Sequence, residues 1–487
     1  DRKMHTKTAP SGPFFVYNYN QRIFMSSRPE LKPIKIPAEP VYTLYDAGEL
    51  EAAKQLALVA LKTDPNNITL INVLAGCYYF LKEFDNAEKC MKILHSNIDD
   101  AGIDVNYAKV LYYLRRAPEA KEILVGALAK DPQKISDTDF ALDYSLVCNA
   151  IGEFDESYEL LQGLDPSDKR VQFNLGWHLL RYGKFSEGFE HLERGNELRV
   201  WGSENLYNLP VRKRVKQPSD VIGKRVLFAC EGGQGDEVLF ARFVQTIKTL
   251  GAAHVTVMCS PHLVTVFKTL PGADKVISFA DYKLGLAPEY DVYVPAMSSV
   301  GLLQLNDPFT GIRFPYLQLD EEYCFPEADN MLPGINIGLR WQGNQEFEHD
   351  QFRSVPFQQL LKFRTLGNLY SLQRDSGLDE IKHNDPVIDL SEKMTTWERT
   401  LAYVNNLDYV VTSCTSMAHI AAAIGKQVCL LCPLVPYFPW AVPGETSDWY
   451  PNVRIFRQTV YNSWKEPIES CYNWIQQDIT QKQEIAQ

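Results

Sequence analysis

The sequence predicts two architectures in one chain: a stack of helical hairpins, then two parallel α/β domains. Three observations lead there. A turn followed by an apolar and then a small residue recurs with a period near 34 between Gly48 and Gly188. Composition shifts after Trp201, where Pro210, Pro218 and the basic run Arg212-Lys213-Arg214-Val215-Lys216 mark a linker. Beyond it, short apolar runs rich in β-branched residues alternate with helical stretches. That alternation is the pattern of βαβ units and parallel sheets.

The chain has 487 residues, long enough for several sizeable cores. Its 45% apolar content marks it as globular. A net charge of −12 argues against a general nucleic-acid binder, which needs basic surface to neutralise phosphates. The 212–216 run is the exception; it reads as a solvated linker or an acceptor-docking patch. Ten cysteines sit among apolar neighbours and read as reduced core residues of a cytoplasmic protein. Cys429 and Cys432 form a C-x-x-C inside a predicted strand, with no second pair or nearby His, so they read as core. No metal or cofactor is expected. No apolar run reaches the roughly 18 residues that cross a bilayer, and no secretory signal is visible. Residues 1–38 are polar and Pro-punctuated, which predicts an irregular arm.

Residues 39–202 are helical by pattern. The small residues Ala53, Ala87, Ala120, Ser157 and Gly188 lie 34, 33, 37 and 31 apart. A second small residue lies twelve positions earlier in four copies: Ala75, Ala108, Ser145 and Gly176. Two small residues at that offset let paired helices approach closely. Asp64-Pro65, Asp131-Pro132 and Asp165-Pro166 end several copies. The pattern resembles tetratricopeptide repeats. Such repeats stack into a solenoid with a concave face, either a groove for a partner or acceptor, or a rigid scaffold.

Residues 203–222 read as the linker. Lys224–Cys230 is then a strand that runs into Glu231-Gly232-Gly233-Gln234-Gly235-Asp236, followed by an apolar helix over 238–250. The third Gly of a dinucleotide fingerprint is missing, so this turn is not read as an NAD site. Asp236 is either a helix cap or a carboxylate over a cleft, able to act as a general base. Strands at 255–259, 275–279 and 291–294 complete one domain, 223–328. A second, 329–487 with a C-terminal helix, has strands at 335–341, 369–372, 387–390, 407–411 and 428–432. Two facing α/β domains place ligands between their strand C-termini.

The stretch from Ser413 to Lys426 is a polar turn, an apolar helix and a Gly stop, set between two buried-type strands. Its helix start offers unpaired N–H groups and the positive end of a macrodipole, a ready anion site. The plainer reading is that Ser413 or Thr415 only caps the helix.

Seven collinear motifs over about 230 residues now resemble the heptosyltransferase-like glycosyltransferases of the GT-B fold (glycosyltransferase family 9-like). They are Glu231–Asp236 with Leu239–Phe243; Gly338–Asn344; Arg353-Ser354-Val355-Pro356; Ser371-Leu372-Gln373; Asp389-Leu390; Thr415–Lys426; and Asp448–Pro451 with Arg454–Gln458. The resemblance implies an inverting, metal-independent transfer from a nucleotide sugar, which is the donor substrate, to a hydroxyl acceptor. Asp236 would be the catalytic base, and Arg353 the cation that offsets leaving-group charge. The diphosphate would lie on the helix that begins at Thr415, against the N–H groups of Ser416 and Met417. Arg340, Gln342 and Asn344 would contact sugar or phosphate, and Gln373 the base or ribose. His419 would touch phosphate or bond a neighbouring loop. Glu231, Gly233, Gln234 and Gly235 would lie on the acceptor side. Cys414 departs from the family, which usually has Asp there; a neutral thiol means altered donor preference or lost activity. The acceptor is a protein or peptide, a glycan, or a hydroxylated nucleobase. The competing reading is a non-catalytic repeat scaffold with a degenerate transferase core.

Overall fold

The structure is a computed structural model that describes residues 37–202, 206, 209–320, 322–323, 325–345, 350–374 and 376–485. The arm expected over 1–38 lies outside the described residues except for Pro37 and Ala38. The chain divides into two compact units, with the break between Pro166 and Ser167.

The first unit holds four hairpins: α1 (Glu39–Asp46) with α2 (Leu50–Leu61), α3 (Ile68–Phe80) with α4 (Phe84–Asn97), α5 (Ala101–Tyr113) with α6 (Ala117–Lys130), and α7 (Thr138–Ile151) with α8 (Phe154–Gln162). Each hairpin turns through one residue of positive φ: Gly48, Lys82, Arg115 and Gly152. The next amide bonds back five residues in each, closing a six-residue loop, from Glu49, Glu83, Arg116 and Glu153 to Leu44, Tyr78, Leu111 and Cys148. This is the Schellman closure, and it explains the even spacing of the turns. The Ser145 and Ser157 pair meets as the spacing predicts, with the two Oγ atoms 2.7 Å apart. The unit is a tetratricopeptide-like helical stack.

The second unit opens with a fifth hairpin of the same kind, α9 (Lys169–Arg181) and α10 (Phe185–Leu192), followed by α11 (Arg194–Leu198). It turns at Gly183 with φ +73°. Gly176 and Gly188 face each other; a Cβ on either would lie 3.0–3.1 Å from the other's carbonyl oxygen. The sequence runs its helical region to 202, yet this hairpin belongs to the α/β unit. The reason is aromatic packing: Phe189 rests on Phe240, Phe438 and Trp449 at centroid distances of 6.3, 5.7 and 6.0 Å.

The N-terminal lobe carries β1 (Arg225–Ala229), α12 (Gln234–Ala241), α13 (Phe243–Thr249), β2 (His254–Cys259), α14 (Val264–Phe267), β3 (Lys275–Ser278), α15 (Phe279–Lys283), β4 (Val292–Pro295) and α16 (Ser299–Leu302). Its sheet is parallel, in the order β3-β2-β1-β4. The C-terminal lobe carries β5 (Asn336–Arg340), α17 (Asp350–Arg353), α18 (Phe357–Leu360), β6 (Asn368–Ser371), β7 (Ile388–Asp389), α19 (Trp397–Asn405), β8 (Tyr409–Ser413), α20 (Ser416–Ala423), β9 (Val428–Cys432), β10 (Val453–Arg457) and α21 (Lys465–Ile485). Its six strands are also parallel, in the order β10-β9-β8-β5-β6-β7. Strand order reverses at β1/β4 and at β5/β8, and crevices open at such reversals. The sequence reads β10 only as part of a motif; the helix expected over 238–250 is two segments, α12 and α13, meeting at Arg242. Two parallel sheets of this kind form the GT-B arrangement.

The lobes are bound together by Arg242, which has no exposed surface. Its Nε donates to the Leu239 carbonyl (2.9 Å), Nη1 to the Trp449 carbonyl, and its guanidinium lies 4.4 Å from the Tyr450 ring centroid. Two cations of the basic run are engaged, Lys213 Nζ donating to the Tyr290 carbonyl (2.7 Å) and Arg214 pairing with Glu193, while Arg212 and Lys216 are exposed. Among the described residues no helix is long and apolar enough to cross a membrane.

Candidate active site

Three βα turns meet where strand order reverses. The first follows β1. Gly232, at φ +74°, turns the chain, and a Cβ there would overlap the Asp236 carboxylate. Asp236, in the first turn of α12, reaches back so that its Oδ2 accepts from Gly233 N–H (2.9 Å). Asp236 is therefore not the N-cap read from the sequence; Gly233 is, and Asp236 supplies the reciprocal bond from the first turn. Its Oδ1 accepts from the Tyr437 hydroxyl, which comes from the other lobe. Burial pushes the Asp236 carboxyl above its ordinary range; the Tyr437 and Gly233 donors and the Arg353 charge oppose that push.

The second turn follows β5 and is built around Asp350. Asp350 is buried; its Oδ1 accepts from Gly343 N–H (3.1 Å) and from Arg353 Nε (2.9 Å). A Cβ at Gly343 would overlap both the Asp350 carboxylate and the Arg353 guanidinium, so glycine there lets the two side chains meet in this arrangement. Arg353 is thereby swung across the mouth of the third turn, where its Nη1 donates to the Cys414 carbonyl (2.7 Å).

The third turn joins β8 to α20. Thr415 is extended and is the helix's N-cap, but no side chain caps the helix. The Thr415 hydroxyl lies 3.3 Å from that of Thr412 instead. The first amide bonded back to the turn is Ala418, to the Thr415 carbonyl (3.0 Å). The N–H groups of Ser416 and Met417 therefore precede the helix's own hydrogen bonding, with Arg353 beside them. The capping alternative for Thr415 is not the one adopted. Gly235 brings α12 against this tip: a Cβ at 235 would lie 3.3 Å from Ser416 Cα and 3.1 Å from His419 Cδ2.

The structure thus brings together Asp236, Arg353, Gly233, Gly235, Thr415, Ser416 and the Met417 backbone. It turns other expected contacts inward. Gln373 is fully buried, and both ends of its amide are used: Oε1 accepts from Trp341 and Gln342 N–H (3.2 Å each), and Nε2 donates to the Gln342 and Ser376 carbonyls. It shapes the turn after β5 and has no donor left for a base or ribose. The Gln342 side chain donates to Glu380 and accepts from Gln345, so it braces the same turn. His419 takes the second of its two readings: it is buried, its Nδ1 lies 3.1 Å from the Tyr450 hydroxyl, and its ring stacks on Trp440. Burial, with Arg242 and Arg353 nearby, lowers it to about 3, so it is neutral. Glu231 is buried, and its Oε2 accepts from Met297 N–H (2.9 Å). Gln234 Oε1 accepts from Trp397 Nε1 (2.8 Å), a bond between the lobes. Arg340 donates to the Leu372 carbonyl (2.9 Å), and Asn344 is exposed.

Cys414 is buried, and its Sγ accepts from Trp440 Nε1 (3.1 Å). Burial raises the thiol to about 11, so it is a neutral group and not a nucleophile. The described cysteines are all buried and unbridged. In the first unit Cys148, Glu153 and Glu156 converge, but Lys121 Nζ sits 2.8–2.9 Å from all three and supplies the positive charge there. Sequence reasoning missed Tyr437, Asp350 and Trp440. The run Pro436-Tyr437-Phe438-Pro439-Trp440 at the end of a buried strand was the available signal.

No protein-family model matches this chain, and no curated protein sequence does. Among solved structures, the tetratricopeptide-repeat protein YrrB, whose peptide-binding site is described as unusual, is 18% identical, covering 33% of this chain and 84% of its own, with a TM-score of 0.28. A family 9 glycosyl transferase from Veillonella parvula DSM 2008 is 12% identical over 49% of this chain and 87% of its own, TM-score 0.37. The ADP-heptose lps heptosyltransferase II of E. coli is 12% identical over 52% and 99%, TM-score 0.37. At such scores these likenesses carry no weight alone; the fold stands on the hairpin closures and the strand orders.

Proposed function

We propose that the chain is a glycosyltransferase that moves a sugar from a nucleoside-diphosphate donor to a hydroxyl acceptor, with inversion and without a metal. One observation carries this reading: a buried carboxylate of one lobe, an uncapped helix tip of the other and an arginine held between them meet where both sheets reverse strand order. The N–H groups of Ser416 and Met417 take diphosphate oxygens. Arg353 offsets the charge that develops on the leaving diphosphate. Asp236 accepts the proton of the acceptor hydroxyl as that oxygen attacks the anomeric carbon and the bond to the diphosphate breaks. The acceptor is a protein or peptide, a glycan or a hydroxylated base, and the helical repeats contribute to its binding. A cytoplasmic setting fits the buried, unbridged cysteines.

The test is thermal unfolding with a panel of nucleoside diphosphates, followed by hydrolysis of the matching sugar donors in EDTA. A diphosphate at 100 times its Kd should add about 2.7 kcal/mol of stability. Asp236→Asn should retain that shift and lose at least about 100-fold in turnover. Arg353→Ala should lose most of the shift. Failure of every nucleotide to stabilise the protein would reject the reading.

A second reading, a repeat scaffold with a transferase-like core that no longer turns over, draws on Cys414. Its neutral, buried thiol stands beside the anion site where the family carries a carboxylate. Stabilisation by a nucleotide with no turnover of any donor would favour it.

A further inference from the structure

Asp236 has both oxygens engaged, and the two donors differ in kind. Gly233 N–H belongs to the same turn as the carboxylate. The Tyr437 hydroxyl reaches it from the loop between β9 and β10, 201 positions away. That loop is braced from several directions. Trp177 Nε1 on α9 donates to the Pro436 carbonyl (3.0 Å), and Arg181 Nη1 donates to the Ala441 carbonyl (3.2 Å). The Arg457 guanidinium donates to the carbonyls of Trp440, Val442 and Gly444 at 2.6, 2.6 and 2.7 Å. Phe438, next to Tyr437, packs on Phe189, Trp201, Phe240 and Trp449 with centroids 5.6–5.9 Å away. With the loop backbone held this way and the Tyr437 ring against Phe438 at 4.6 Å, the phenol has little freedom to follow a turning carboxylate, so it biases the carboxylate's orientation.

We propose that Tyr437 is a positioning residue for the base: its clamped hydroxyl fixes the Asp236 carboxylate so that the lone pairs left over face the incoming acceptor hydroxyl. This rests on Asp236 being the base. Each carboxylate oxygen can accept two hydrogen bonds, so one bond from Tyr437 leaves room for the acceptor. The same bond favours the ionised carboxylate against the burial that opposes it. The other titratable groups facing Asp236 are Arg353 on α17, which helps ionise it, Glu237 beside it on α12, and Cys414 at the end of β8. His419 on α20 lies against the same turn and is neutral. Burial and the Asp236 charge raise the Tyr437 phenol well above its ordinary value, so it remains a donor.

Thermal unfolding of wild type, Tyr437→Phe, Asp236→Asn and the double variant, from pH 4.5 to 8, tests the coupling. Without the phenol donor, ionised Asp236 is disfavoured further, so Tyr437→Phe should fall increasingly below wild type as pH rises. In the Asp236→Asn background the same change should give an offset that does not vary with pH. An offset independent of pH with Asp236 present, or equally pH-dependent without it, overturns the proposal. With a hydrolysed sugar donor, the acid limb of kcat/KM should move up by roughly one pH unit in Tyr437→Phe, with nucleoside-diphosphate affinity unchanged. An unshifted limb overturns the role of Tyr437 alone. No turnover of any donor overturns Asp236 as base, and the positioning role with it.

Discussion

Asp236 and Glu237 are adjacent on one helix turn, and their surroundings separate them. Asp236 faces the other lobe and is met by donors. Glu237 faces inward, and its Oε2 accepts from Ser260 N–H (2.7 Å). Burial, with the Asp236 charge nearby, raises Glu237 to about 7. The folded protein therefore holds this proton more tightly than the unfolded chain does. The stability it contributes is full below about pH 4.5 and is lost as pH rises through about 7. The effect is at most roughly 3 kcal/mol. Glu237→Gln should flatten the decline of Tm between about pH 5 and pH 8, and an unchanged slope would clear Glu237 of the effect.

At the scale of elements, the hairpin turns and the α20 tip solve the same problem oppositely. The turns satisfy their carbonyls internally, through a left-handed residue and a six-residue closure. At two of them the left-handed residue is not glycine: Lys82 has φ +62° and Arg115 has φ +60°. A side chain there costs about 1 kcal/mol or more. Lys82 is exposed, so Lys82→Gly should remove that strain and raise stability by about 0.5–1 kcal/mol, read from denaturant unfolding of the full chain. A loss of stability would show that the Lys82 side chain contributes more than its strain costs. The α20 tip, by contrast, leaves its first amides without a cap and places an arginine beside them. An element that stabilised itself would have used the Thr415 hydroxyl to cap those amides.

For the molecule as a whole, the division at 166/167 assigns α9–α11 to the α/β unit. Phe173, Trp177, Phe189 and Trp201 are buried in that unit. Burying one large apolar side chain contributes about 1.5–3 kcal/mol, so four amount to about 6–12 kcal/mol. That approaches the full stability of an ordinary domain, about 5–15 kcal/mol. A fragment spanning 167–487 should unfold cooperatively, whereas one spanning 203–487 should show no cooperative transition by calorimetry. Equal behaviour of the two fragments would show that the fifth hairpin is dispensable to the unit.

Much of this was legible in residue order, because it depends on local rules. The spacing of Ala53, Ala87, Ala120, Ser157 and Gly188 determined the hairpins, since a small residue is needed wherever two helices cross closely. Alternating apolar runs determined nine of the ten strands among the described residues. Asp236 could be picked out because it sits on a glycine-rich turn after a strand, and Arg353 because the Arg353-Ser354-Val355-Pro356 segment resembles a family motif. Tertiary structure alone decided where side chains point. Gln373, His419 and Glu231 are polar residues in the expected places, yet each spends its hydrogen bonds on the protein. It also decided who meets Asp236: Tyr437 lies 201 positions away, on a loop held by Trp177, itself 259 positions from Pro436. Periodicity reports which face of an element is buried. Partners that far apart in sequence become neighbours only when the lobes and the last hairpin pack together.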